Sequence, residues 1–218
     1  MKLARALIIA VAALCVTQAQ AQRTENVSVT GELPDVLTQT ENRTYVLARI
    51  LNLVLPADYR ITEDCGSGRS VSVVAVIPYT PADPLSVAFA QGASQAYILR
   101  VAAKGCGPDR LHTIFAFPRY DAGPQLVNGY PGETIADLQL QTDIGARLVK
   151  TMADSFNGGC PNVHVSNTVV THEGGAGKTW MEEWTTRGCG QWRKFEVTFT
   201  PSPQGGTDYA ARQVASQE

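Results

Sequence analysis

Residues 171–180 read THEGGAGKTW, and Gly177, Lys178 and Thr179 match the closing letters of a phosphate-binding loop. Such a loop, G-x-x-x-x-G-K-[ST], needs its first glycine for the turn that lets backbone N–H groups cradle phosphates, and it must open a helix. His172 stands where that glycine belongs, and the residues after Thr179, WMEEWTTRGCG, alternate as a strand that ends at a cysteine. The segment predicts a glycine-rich hairpin connection, and no nucleotide is expected as a partner. Histidine chemistry is equally sparse. His164 and His172 lie eight residues apart on one expected strand, roughly 27 Å at ~3.3 Å per residue, so they share neither a metal nor a proton. His112 lies elsewhere, beside Arg110. No HxxxH, HExxH or carboxylate cluster accompanies any of the three histidines, so neither a metal nor a cofactor is expected. For a nucleophile, GASQA (Gly92–Ala96) breaks the G-x-S-x-G elbow at its last position and lacks a strand–turn–helix context. Ser67, in CGSG, has no base nominated beside it.

Binding chemistry is better represented. Trp180, Glu182 and Trp184 alternate and so share one face of a strand, whereas the adjacent Glu183 points to the other face. Two arrangements suit that pattern. In one, the indoles are core and Glu182 is tied to an arginine, Arg193 being the candidate. In the other, they form an exposed aromatic surface around a carboxylate, suited to a sugar, peptide or protein. The binding residues expected on this basis are Trp180, Glu182, Trp184, Arg187, Trp192, Arg193 and Tyr209.

The N-terminus specifies a compartment. Lys2 and Arg5 precede an apolar run from Leu3 to Val16, and Ala19-Gln20-Ala21 is a small-x-small cleavage site, which together make a secretory signal peptide over 1–21. A lipid anchor on Cys15 is disfavoured because Leu14 occupies the place that a lipobox gives to Gly, Ala or Ser. Cleavage after Ala21 predicts a secreted, periplasmic chain without a transmembrane segment. It removes Cys15 and leaves Cys65, Cys106, Cys160 and Cys189, an even set that reads as two disulfides in an oxidising compartment. The formal net charge of −2 becomes more acidic once Lys2 and Arg5 are lost, and no basic stripe remains for nucleic acid.

An internal repeat organises the rest. GCGPDRLHTIFAFP (Gly105–Pro118) and GCGQWRKFEVTFTP (Gly188–Pro201) both read G-C-G-x-x-R and reach a proline at the same spacing. Upstream, Tyr97 aligns with Trp180 and Val101 with Trp184, and VTGELP (Val29–Pro34) precedes one copy as VNGYP (Val127–Pro131) precedes the other. Each copy then carries a helical stripe. Val46, Leu47, Ile50, Leu51 and Val54 form the first, ended by Pro56. Ile144, Leu148, Val149, Met152 and Phe156 form the second, with Thr134 as N-cap and Gly158-Gly159 as stop. Alternating segments near 71–77, 95–103, 111–117, 163–171, 179–187 and 195–200 read as strands.

The fold expected is α+β: two duplicated strand–helix–three-strand units, 22–120 and 121–209, each an antiparallel sheet with one helix. PADPLSVAFAQG reads as a mobile loop, and 210–218 as a disordered tail. One disulfide per unit, Cys65–Cys106 and Cys160–Cys189, is the preferred pairing, each worth roughly 3–4 kcal/mol; pairing across the units is the alternative.

The run from Trp180 to Thr207 resembles a group of uncharacterised secreted proteins of Gram-negative bacteria. They share a W-x-E-x-W, a cysteine-glycine, an alternating strand and Gly-Gly-Thr, here Trp180, Glu182, Trp184, Cys189, Gly190, Val197, Phe199, Gly205, Gly206 and Thr207. The resemblance implies export and a disulfide-stapled β region, and it brings no activity with it. The function expected is a non-catalytic binding module for an envelope partner or small ligand. The alternative is a hydrolase with its site in the cleft between the units.

Overall fold

The apolar stripe that begins at Val46 folds as helix α1, Arg43–Thr62, with Val46, Ile50, Val54 and Ile61 buried along one side. These coordinates come from a computed structural model that describes residues 27–62, 68–156, 159–174 and 177–214. The expected stop at Pro56 does not occur. Its ring removes one amide donor and crowds the preceding turn, but Asp58 and Ile61 bury on the continuing face and carry the helix one further turn.

Five strands form the first sheet, in the order β1 (Val29–Thr30), β2 (Ser70–Tyr79), β3 (Ala96–Lys104), β4 (Arg110–Phe117) and β5 (Gln125–Asn128). β1 runs parallel to β2, and the other pairs are antiparallel. Four antiparallel strands form the second: β6 (Val163–His172), β7 (Trp180–Gly188), β8 (Gln191–Pro201) and β9 (Thr207–Val214). The protein is therefore α+β with a five-stranded and a four-stranded sheet.

Three sequence expectations change here. PADPLSVAFAQG contains helix α2, Pro84–Ala90, because the Asp83 carboxylate caps Ser86 N at 2.8 Å and Pro84 supplies a preset φ at the first position. Helix α3, Leu138–Ser155, is capped by Asp137 rather than Thr134, since Asp137 Oδ1 accepts from Leu140 N at 2.8 Å. Residues 210–214, expected to be a disordered tail, belong to β9, whose Tyr209 and Ala211 pack on the second core. In addition β5, assigned to the second unit by its sequence, pairs with β4 of the first sheet.

Strand alternation places two layers on the first sheet. Ile114 and Ala116 face α1 together with Val71, Leu99 and Val101. Phe115 and Phe117 face the opposite way, with Ala90 of α2 and Leu138 of α3. The second sheet carries α3 on one face, where Ile144, Leu148, Met152 and Phe156 meet Trp184, Phe195, Val197 and Phe199. Residues 131–134 join the sheets. Gly132 N donates to Leu111 O at 2.7 Å and Glu133 N donates to Thr168 O at 2.8 Å, while Thr168 Oγ1 donates to Pro131 O at 2.8 Å.

The hairpins β3–β4 and β7–β8 share one register. Tyr97 pairs with Ala116 as Trp180 pairs with Phe199, Val101 with His112 as Trp184 with Phe195, and Ala103 with Arg110 as Thr186 with Arg193. The β7–β8 turn is two residues, Cys189 and Gly190, both at positive φ (49° and 74°), the geometry whose twist matches the flanking strands. Cys189 is bonded there to Cys160, with Cα atoms 5.9 Å apart. Cys65 and Ser67 lie outside the described residues, as do Cys15, the expected signal peptide and Gly158.

Candidate functional site

Trp180, Glu182 and Trp184 project from β7 toward α3, and the face is core. Glu182 and Trp184 have no accessible surface, and Trp180 is half-buried, stacked on Phe199 with centroids 4.7 Å apart. Arg193 is not the partner of Glu182: its guanidinium lies over the Phe156 ring, 4.9 Å from the centroid. The carboxylate instead accepts four hydrogen bonds. Both indoles donate, Trp180 Nε1 at 3.1 Å and Trp184 Nε1 at 2.8 Å, and Thr134 Oγ1 and Ile135 N donate at 3.0 and 3.2 Å. A buried carboxylate costs several kcal/mol unless its lone pairs are filled. Filling them here fastens the 134–136 turn, and so the start of α3, to the middle of β7. Arg100, half-buried beside the 131–134 link, donates to Gly132 O at 2.5 Å; desolvation lowers its pKa, and the charges of Glu133 and Glu182 oppose that shift.

The remaining expected binding residues scatter. Tyr209 lies on the α3 side, its hydroxyl 3.5 Å from Asp143 O. Arg187 and Trp192 come together on the opposite face of the sheet, with the guanidinium 5.2 Å from the indole centroid and bonded to Ile61 O of α1. Trp192 is 50% exposed. The seven residues thus divide between a core face and a surface and do not form one site. His164 and His172 lie near opposite ends of β6, and Lys178 and Thr179 lead directly into β7 rather than a helix, so the geometry of a phosphate-binding loop is missing there.

A different set converges between the sheets. Asp58, on the apolar stripe of α1, is fully buried and meets three basic side chains. Arg110 Nε and Nη2 reach its two oxygens at 2.5 and 3.2 Å, Arg69 Nε approaches Oδ2 at 3.4 Å, and His112 Nε2 lies 3.2 Å from Oδ1. Burial alone would raise the Asp58 pKa, but the hydrogen bonds and charges of His112 and Arg110 outweigh it and hold the carboxyl below its ordinary value. Arg69 is further fixed by Thr62 Oγ1 at 2.7 Å and by the Tyr59 ring at 3.7 Å. The His112 side chain is 4% exposed.

His112 lines a cavity of about 340 Å³ walled by elements of both sheets and their helices: Arg60 and Ile61 from α1, Thr113 from β4, Tyr130 just ahead of the inter-sheet link, Leu138 and Val149 from α3, and Val163 and His164 from β6. Burial, and then the charge of Arg60, push the His164 imidazole pKa down. Burial raises the Tyr130 hydroxyl to about 12, so it stays a neutral donor. A larger groove of about 1130 Å³ beside α3 is acidic in contrast, with Asp83, Asp137, Asp143 and Asp208 on its wall.

Sequence reasoning missed Asp58 and the meeting of His112 with His164. One signal was present. Asp58 falls on the same helical face as Val54 and Ile61, where a carboxylate must be partnered to be buried. Its partners, far away in sequence, carried no mark of their own. Among the described residues no group of three or more His, Cys, Asp or Glu has metal-holding geometry, and no helix is long and apolar enough to cross a membrane. No protein-family model, curated protein or solved structure matches this chain.

Proposed function

We propose that this is an exported, periplasmic, non-catalytic binding module that holds a small ligand in the cavity between its two units. The observation that carries this reading is His112, which is buried, oriented by Asp58 through Nε2, and placed on the wall of that cavity. A concave pocket with a few oriented polar groups on its wall is the usual form of a small-molecule site. Export rests on the signal-peptide pattern of residues 1–21 and on the resemblance of the C-terminal run to secreted proteins; the Cys160–Cys189 bond is compatible with it. The two units descend from one duplicated strand–helix–three-strand ancestor, a view supported by the common register of the two hairpins. The second disulfide of that scheme is Cys65–Cys106.

The hydrolase alternative has one observation in its favour, the Asp58–His112 pair itself, which has the form of an oriented general base. The residues on the cavity wall include no serine or cysteine, and Thr113 Oγ1 already donates to Gly132 O at 3.2 Å. Such a base would have to act on water.

Native mass spectrometry of the mature protein purified from a periplasm, repeated after denaturation, tests the proposal. A small-molecule mass present in the native spectrum and lost on denaturation is expected, on a chain that starts at Gln22 and lacks four hydrogens relative to its reduced form. A bare native mass overturns retention of a ligand. A mass two hydrogens too high removes the second disulfide.

A further inference from the structure

We propose that the cavity between the two units takes a small organic monocarboxylate, its carboxylate hydrogen-bonded to His112 Nδ1–H and its hydrocarbon part against Leu138, Val149 and Val163. This rests on the cavity being the ligand site. The charge around it selects the ligand class. The ionisable residues on the wall are Arg60, His112, His164 and Tyr130, and no Asp or Glu joins them. The nearest carboxylate, Asp58, stands behind His112 and is occupied by Arg110, Arg69 and His112. An anion entering the cavity therefore meets no like charge on its wall, and beyond the wall one carboxylate faces two guanidinium groups among the described residues. Arg60, at the exposed end of α1, adds a further cation.

Hydrogen bonding narrows the choice. Asp58 accepts at Nε2, so the ligand faces Nδ1, and a carboxylate there needs a proton on that nitrogen. The bound imidazole is the cation, stabilised through Nε2–H by Asp58, as a buried aspartate stabilises an imidazolium in acyl-transfer triads. The proton comes from the free carboxylic acid or from solvent, and no other bond is made or broken. The groups that face the imidazole are Asp58 from α1, Arg69 ahead of β2, Arg110 on β4, and Arg60 and His164 around the cavity. His164, its pKa lowered, offers a neutral hydrogen bond rather than a second cation. One buried imidazolium suits a monoanion, whereas a phosphate would call for several converging donors. The remaining wall is apolar at Leu138, Val149, Val163 and Val165 and carries Thr113, Asn128, Gln141 and Thr142 as neutral polar groups, and the volume lies at the small end of the range for small-molecule sites.

Hexanoate and its neutral isostere hexanamide, added to the mature protein, test the proposal. The readouts are imidazole NMR of His112, thermal melting, and calorimetry in buffers of different ionisation enthalpy. Hexanoate is expected to convert His112 to the imidazolium pattern with proton uptake, and to bind roughly tenfold or more tighter than hexanamide, the worth of one charge-assisted hydrogen bond. His112→Gln removes that preference. Should this variant fail to fold, Arg60→Gln, at an exposed position, is expected to weaken hexanoate several-fold and leave hexanamide unchanged. Equal binding of acid and amide, with His112 responding to both, overturns the carboxylate class and leaves the cavity as the ligand site. No response of His112 to either probe overturns the proposal, while the native mass spectrum still judges the ligand site separately.

Discussion

Glu182 carries a structural role that its position between two tryptophans does not reveal. Each of its hydrogen-bond donors is neutral: two indole N–H groups, a threonine hydroxyl and one backbone amide. Glu182→Gln places an amide N–H against groups that also donate, and is expected to cost roughly 2–3 kcal/mol in a urea unfolding curve. Trp184→Ala removes the largest fully buried side chain and is expected to cost about 3–5 kcal/mol. Asp58 supplies a pH dependence. Its folded-state pKa lies below the ordinary value, so its contribution to stability is present above the unfolded carboxylate pKa of ~4 and is lost as pH falls through the folded value. Unfolding free energies measured from neutral pH into acid should fall steeply for the wild type below about pH 4. In Asp58→Asn they should start lower by about 3–5 kcal/mol, because two arginines lose their buried counter-charge, and show a flatter acid limb. An equally steep limb in the variant would place the acid sensitivity elsewhere.

Among the elements, α3 is held at both ends by means that can be separated. Asp137 caps its first turn, and Asp137→Ala should cost about 1 kcal/mol. Beyond its last turn, Cys160 ties the chain to the β7–β8 turn across 29 residues of sequence. Replacing Cys160 and Cys189 with serine should cost about 3–4 kcal/mol in the chain-entropy account, and a midpoint unchanged relative to the wild type would contradict that figure. β9 covers one edge of β8 along its whole length, from Lys194–Val214 to Pro201–Thr207. A chain stopped before Thr207 uncovers that edge together with the aromatic core beneath Tyr209. It should self-associate in size-exclusion chromatography, where the full chain does so less.

At the scale of the molecule, the two sheets are coupled through polar backbone rather than a broad apolar seam. Residues 131–134 bond to Leu111 on one side and Thr168 on the other, Arg100 reaches Gly132 O, and Arg187 holds Ile61 O at the end of α1. These ties frame the cavity that His112 lines, so ligand binding there should stabilise both sheets together. In practice, hexanoate should raise the melting temperature without splitting the transition. Thr168→Val, which removes both hydroxyl bonds of the link, should separate one transition into two or broaden it. A single sharp transition in that variant would show that the link is not what couples the sheets.

Local periodicity in the sequence determined the two long helical stripes, six of the strands and the hairpin nature of THEGGAGKTW, because each depends on residues that are near in sequence or repeat with a fixed period; the Cys160–Cys189 bond was the preferred pairing, and only the packed chain decided it. The α+β class follows from the same signals. What periodicity left open was which side of a strand is covered. Trp180, Glu182 and Trp184 share a face in any strand, but only the position of α3 decides that the face is interior. Pro56 and the tail at 210–214 were misjudged for a related reason: local propensity argued for an end, and burial of Ile61, Tyr209 and Ala211 against distant elements overrode it. The cavity was illegible in sequence, since Asp58 meets His112, and His164 comes to line the same cavity, only when α1, β4 and β6 are packed together. Sequence determines the elements through local sterics and hydrophobic period; tertiary packing alone decides which polar groups are taken out of water and must find one another there.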